Sequence, residues 1–220
     1  MQKIIRAVFG EKDHLLRRYA VFFLGLVICS FGVAASTKAG LGTSPVTAIP
    51  YSLSLIFPRV SFGNWLIFFC LALIPVQIIL LRKNCVVSEL VIQAVLTFAY
   101  GYLTDFSMLI LRAVPLGSYL ARIALLLAGC AVLAFGVYLE LLSDVAMMPP
   151  DAFIKAVAQA AKKPYPSVKI VTDVSMSALG AVLCLSLLGT LSGVREGTAI
   201  AAFLVGFIMK IFQRIFERRR

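Results

Sequence analysis

Six stretches of roughly twenty residues, almost free of charge, dictate most of what this chain can become. They run from Tyr19 to Thr37, Phe62 to Leu81, Leu90 to Ile110, Leu120 to Leu142, Ser167 to Leu188 and Gly197 to Phe216. A charge at the centre of a bilayer helix costs about 2.5–3.5 kcal/mol, so long charge-free runs are what a membrane accepts. Each run is long enough, as a helix, for about 30 Å of hydrocarbon. Asp105 lies inside the third, and Lys169 and Asp173 near the start of the fifth.

Composition closes the alternatives. Of 220 residues, 61% are hydrophobic and 14% charged, with a mean hydropathy of +0.97. A water-soluble domain of this size cannot hide so much apolar surface. The net charge of +11 sits in short clusters between apolar runs, a pattern that fits lipid headgroups and not a nucleic-acid face. Cysteines at 29, 70, 85, 130 and 184 are scattered, without a CxxC pair, and His14 is the single histidine. They read as buried thiols, with no metal site and no cofactor. One histidine near a basic terminus also leaves no Ser/His/Asp set, so no catalytic residue is assigned.

Two further apolar segments are interrupted: Ala39 to Pro58, with Gly40, Gly42, Pro45 and Pro50, and Val145 to Ala161, with Pro149, Pro150 and Asp151. Glycine and proline at that density remove backbone hydrogen bonds, which hydrocarbon tolerates only where protein or a water-filled cavity covers the chain. Both are expected to be re-entrant or half-membrane elements.

Loop charge tests the topology, because Lys and Arg favour the cytoplasmic side. With both termini inside, the cytoplasmic segments hold Lys3, Arg6, Lys12, Arg17, Arg18, Arg82, Lys83, Lys155, Lys162, Lys163, Lys210, Arg214, Arg218, Arg219 and Arg220. Lys38, Arg59, Arg112, Arg122 and Arg195 fall outside, a ratio of fifteen to five. The N-terminal run has the outline of a secretory signal, but a match later in the chain argues for its retention.

That match is an internal repeat. Shifted by 104 positions, Gly25, Phe31, Gly32, Val33, Pro45 and Ala48 fall on Gly129, Phe135, Gly136, Val137, Pro149 and Ala152. A shift of 105 places Ala94 and Gly101 on Ala199 and Gly206. The glycine pairs, seven residues apart, line one helix face where a second helix can approach closely. Three spans per half, an odd number, turn the second half upside down in the bilayer. The expected fold is therefore an all-α membrane protein of six transmembrane helices in two inverted three-helix repeats, each with a broken element after its first helix. A basic segment, 1–18, precedes the repeats at 19–112 and 118–216, and a basic tail, 217–220, follows.

The motifs Lys38-Ala39-Gly40-Leu41-Gly42-Thr43-Ser44-Pro45 and Gly193-Val194-Arg195-Glu196-Gly197-Thr198 carry a resemblance to the YczE/YitT-like family of bacterial integral membrane proteins. It extends from about Tyr19 to Phe216. The resemblance implies a multi-pass protein of the bacterial cytoplasmic membrane from a group described as candidate transporters. Many members carry an acid where this chain has Thr47; Asp151 follows Pro149 in the second copy.

Polar groups inside the membrane region are costly unless paired or wet, which makes them the site candidates. Thr43, Ser44, Pro45 and Thr47 belong to the first broken element. Glu140 and Asp144, one helical turn apart, lead to Pro149 and Asp151; they form an acidic patch for a proton or cation, or a solvated helix end. Asp151 is placed to cap a helix reaching Ala161. Lys169 and Asp173, at i and i+4, form a local ion pair or one that opens to a charged solute. Arg195 and Glu196 precede the sixth span, in a solvated loop or against that helix's first turn. Asn64, Trp65, Gln93, Tyr100 and Asp105 are candidate cavity residues, with Trp65 equally an interfacial anchor.

The leading expectation is a secondary transporter of a small polar or charged solute. It would work by alternating access around the two broken elements, with proton coupling through Glu140, Asp144 or Asp173. A substrate-binding subunit of an energy-coupling-factor importer and a non-transporting membrane scaffold are the other classes. Membrane lipids and a small solute are the expected partners, nucleic acid is not, and a homodimer stays open.

Overall fold

The computed structural model describes residues 15–81 and 87–218. Lys3, Arg6, Lys12, His14, Arg82, Lys83 and Cys85 lie outside them, as do Arg219 and Arg220. The described residues form helices and their connections, without a strand: α1 (Leu15–Lys38), a 3-10 turn (Pro45–Thr47), α2 (Ala48–Ile56), α3 (Phe62–Leu81), α4 (Val87–Leu111), α5 (Tyr119–Ser143), α6 (Pro149–Ala161), α7 (Tyr165–Leu188) and α8 (Glu196–Arg218).

Five of these, α1, α3, α4, α5 and α7, are long and apolar enough to cross a membrane. The sixth expected span forms as the 23-residue α8, but its apolar stretch, Glu196–Met209, is shorter; Lys210 and Arg214 follow in the sequence. Helix bounds extend the apolar runs by a few residues because ends such as Tyr165–Pro166 and Val87–Ser88 are helical without adding to the charge-free core.

The surface is the reverse of a soluble domain's, around an interior of apolar residues such as Leu26, Leu66 and Leu126 with polar ones among them. Large apolar groups face outward, among them Phe68, Ile79, Val95, Val171, Phe203 and Phe207, while Ser36, Thr37, Thr43, Gln77, Gln93, Thr97, Thr104 and Thr198 are buried. Thr97, Thr104 and Ser107 donate to the carbonyls of Gln93, Tyr100 and Leu103 four residues back, so their hydroxyls are satisfied inside their own helix.

The centre is the crossing of α1 with α5. A methyl group built on Gly136 would lie 2.6 Å from the Cys29 backbone nitrogen, and one on Gly129 2.6 Å from that of Ser36. The glycines thus let two backbones touch. Residue numbers fall along α5 as they rise along α1, so the helices are antiparallel. At the middle of the crossing, Cys29 Sγ reaches the carbonyl of Leu133 at 3.8 Å, and these two residues are 104 positions apart.

Around this pair several helix contacts come in matched sets: α1 with α4 and α5 with α8, α2 with α7 and α6 with α3, α2 with α3 and α6 with α7; the packing of α3 on α4 has no comparable counterpart between α7 and α8 among the described residues. The two short helices hold nine and thirteen residues, or about 13 and 20 Å, too little to cross about 30 Å. Each lies against a long helix of the other half of the chain. Ser52 Oγ of α2 donates to the Gly180 carbonyl of α7 at 3.0 Å, and Gln77 Nε2 of α3 donates to the Pro149 carbonyl of α6 at 3.2 Å.

Chain chemistry explains the breaks. After α1, Gly40 and Gly42 take positive φ values of 68° and 114°, a region that L side chains rarely adopt. After α5, Asp144 turns left-handed at φ 47°, and Pro149 and Pro150 then open α6 at positions where a missing N–H costs nothing. Asp105, expected to line a cavity, instead caps α3: its carboxylate accepts from the Gly63 backbone N–H at 2.7 Å and from Ser61 Oγ at 2.5 Å. The reason is electrostatic, since the start of a helix presents unpaired N–H groups and favours a negative charge.

Candidate functional site

The two quoted motifs, separated by about 150 residues, meet. The Gly197 backbone N–H donates to the Leu41 carbonyl at 2.8 Å, and the Thr43 N–H donates to Thr198 Oγ1 at 3.2 Å. Gly42 faces Thr198 and Arg195 with no room for a Cβ. From this junction runs a row of hydroxyls, buried except at half-buried Ser44: Thr37 Oγ1 to Thr43 Oγ1 at 2.8 Å, Thr43 to Thr47 at 2.8 Å, and Thr47 to Ser44 at 2.7 Å. Ser44 precedes the 3-10 turn without capping its backbone, because its hydroxyl is engaged with Thr47. Pro45 and Thr47 are buried.

Beside the junction opens a cleft of about 750 Å³ lined by Gly40, Tyr51, Thr190, Ser192, Arg195 and Glu196, among others. Arg195 is held by Glu196 at 3.0 Å and by the Gly40 carbonyl at 3.3 Å. These two charged residues therefore neutralise each other at the mouth.

The second broken element gathers charge. Lys169 Nζ stands 3.6 Å from Asp151 and 3.6 Å from Asp173, so the expected local pair of α7 is a triad that includes α6. The Tyr165 hydroxyl donates to Asp151 Oδ1 at 3.1 Å. Asp151 does not cap α6: that position belongs to Met148, without a side-chain bond. Two prolines put Asp151 in the first turn rather than ahead of it, and its carboxylate turns to α7. Asp173 Oδ1 is buried without a partner among the described residues, as is the Oε1 of Gln93.

Glu140 and Asp144 do not share a patch. The left-handed turn at Asp144 sends it to the surface, where Arg18 reaches its carboxylate at 3.8 Å and also donates to the carbonyls of Ser143 at 2.9 Å and Asp144 at 2.6 Å. Arg18 thereby closes the C-terminus of α5, where carbonyls point outward unpaired. Glu140 turns inward, against Gly25 of α1.

Asn64 offers only its backbone N–H, to Ser61 Oγ, and Trp65 stacks between Phe57 and Phe68. Sequence reasoning did not single out Cys29, Thr37, Gln77 and Tyr165. Thr198 stood in a quoted motif, and the other four carry no local signal, since only tertiary packing brings them to the site.

These features define a class: an all-helical bundle with large apolar side chains on its outer surface and polar groups buried among apolar ones within, compatible with a multi-pass membrane protein. More narrowly, the chain belongs to the family described as "Family of unknown function (DUF6198)", which matches residues 16–214. It is similar to "Uncharacterized protein YyaS" of Bacillus subtilis (strain 168), 24% identical over 202 residues that cover 91% of this chain and 94% of the other. No solved structure matches.

Proposed function

We propose that this protein is a secondary transporter of a small polar or charged solute in the bacterial cytoplasmic membrane, working by alternating access between two inverted halves. The observation that carries the reading is the contact of Cys29 with Leu133, its counterpart under the 104-residue shift, on antiparallel helices. Equivalent residues of antiparallel helices meet only on a twofold axis perpendicular to both. For helices that span a bilayer, such an axis lies in the membrane plane, which is the plan of inverted-repeat carriers.

Further support comes from the matched helix contacts and from the exchange of short helices, each packed on the opposite half. Six spans with both termini cytoplasmic, and the resemblance to YczE/YitT-like proteins, fit the same plan. The ends of the central pair differ. One is closed by Arg18 on Ser143 and Asp144; at the other, Gly40 lines an open cleft. Two similar halves in unlike states are what alternating access requires, with Thr43, Thr47, Asp151, Lys169 and Asp173 as the binding groups.

The test uses single cysteines at Ser44 and Asp151 in the full chain freed of native cysteines, with a membrane-impermeant maleimide. Labelling of the first from the periplasmic face and of the second from the cytoplasmic face is the expected result. Labelling of both from one face alone would remove the carrier reading.

A further inference from the structure

Among the described acids, Glu89, Asp105 and Glu140 form no ion pair. Glu89 is exposed and Asp105 is satisfied by the Gly63 N–H and the Ser61 hydroxyl, which leaves Glu140. Asp144 has Arg18, Asp151 and Asp173 share Lys169, and Glu196 has Arg195. Glu140 pairs with no basic side chain among the described residues, and its Oε1 is buried there without a hydrogen-bond partner.

Its depth is set by α1. Glu140 Cγ would lie 3.1 Å from a methyl group on Gly25, and its carboxyl reaches toward the Cys29 thiol. Gly25 and Cys29 flank the midpoint of α1 (Leu15–Lys38). Side chains lean toward the start of their own helix, which carries this carboxyl away from the helix end at Ser143 and into the interior. It is not a headgroup residue.

The Cys29 thiol of α1 is its side-chain neighbour, and Tyr100 of α4 and Asp151 of α6 lie within electrostatic reach. α8 packs on α5 through Ala201, beside Leu126 and Cys130, and through Phe212, against Phe135 and Tyr138, which lie on the side of α5 turned away from Glu140. Thiol, phenol and carboxylate supply no positive charge. A lone ionised carboxylate in such a setting is unfavourable by several kcal/mol in general, and the group takes up a proton or a cation instead.

We infer that Glu140 is the proton-carrying residue of the transport cycle, an inference that rests on the carrier reading and specifies its coupling ion. A proton leaves hydronium in the water on one side and bonds to the carboxylate; the same O–H bond breaks when the proton returns to water on the other. No electron is transferred. A proton needs no cavity, which suits a position wedged between two helix backbones.

The test is infrared spectroscopy of the purified full chain, with the proton itself as probe. The expected result is a protonated-carboxyl stretch at neutral pH that is lost in Glu140→Gln, shifts on transfer to D₂O, and disappears as the pH is raised. Asp144→Asn, Asp151→Asn and Asp173→Asn each retain it, which keeps the assignment testable should Glu140→Gln misfold.

Absence of the band at neutral pH, its persistence in a folded Glu140→Gln chain, or its loss in any aspartate variant would overturn the inference. So would a band that neither exchanges nor titrates, since a sealed proton is structural. The measurement needs no solute, so it fails independently of the cysteine labelling.

Discussion

Gly136→Ala probes the helix crossing on which the architecture turns. The added methyl would sit 2.6 Å from the Cys29 backbone nitrogen, 2.8 Å from its Sγ and 2.9 Å from the Gly25 carbonyl oxygen. Ordinary contact between such atoms begins near about 3.4 Å, so the two helices must part locally by about 1 Å. Two of the three obstacles are backbone and cannot rotate aside.

Overpacking of a tight contact costs about 1–3 kcal/mol. Against it stands the gain of replacing glycine by alanine within a helix, about 0.5–1 kcal/mol. Gly206→Ala separates the two effects, because Gly206 of α8 has nothing within 4 Å of its missing Cβ. It receives the gain without the clash.

The difference between the variants is then the contact cost alone. At about 2–4 °C per kcal/mol for a chain of this size, Gly136→Ala is expected to melt some 2–12 °C below Gly206→Ala. Thermal unfolding followed by circular dichroism in one detergent reads the difference. If Gly136→Ala melts at or above Gly206→Ala, the close crossing is not what holds α1 to α5.

Asp105→Ala is expected to lower stability by about 1 kcal/mol through loss of the α3 cap, seen as a lower melting temperature. Thr43→Val interrupts the hydroxyl row and leaves Thr37 without its acceptor or donor; about 1–3 kcal/mol of destabilisation follows, and a melt equal to wild type would contradict the row. Lys169→Met strips two aspartates of their shared partner, so it is expected to melt lower than the double variant Lys169→Met/Asp173→Asn. The reverse order in a melting comparison would argue that Lys169 does not neutralise Asp173.

The span positions were legible because a bilayer imposes one demand, continuous apolar length, and Phe62–Leu81 even coincides with its apolar run. The interruptions at Gly40, Gly42, Pro149 and Pro150 were legible for the converse reason, that these residues exclude a continuous helix. The directions of side chains were not. Glu140 and Asp144 look alike as neighbours on one helix, and only the left-handed turn at Asp144 separates the inward acid from the outward one. Asp105 read as a cavity residue because the N–H groups it caps belong to a helix some forty positions earlier. The hydroxyl row was half visible: Thr43, Ser44 and Thr47 are adjacent in sequence, while Thr37 and Thr198 join them only through packing.

The junction of Leu41 and Thr43 with Gly197 and Thr198 bears on how the molecule is built. The bend behind the first helix finds its donor and acceptor only in residues synthesised 155 or more positions later. Until those residues enter the bilayer, the Leu41 carbonyl and the Thr43 amide stay unmatched, and a ribosome-bound fragment ending at Leu188 is expected to hold that bend open to proteases. Maturation thus runs backward along the chain, with α8 acting as the keystone of the turn behind α1.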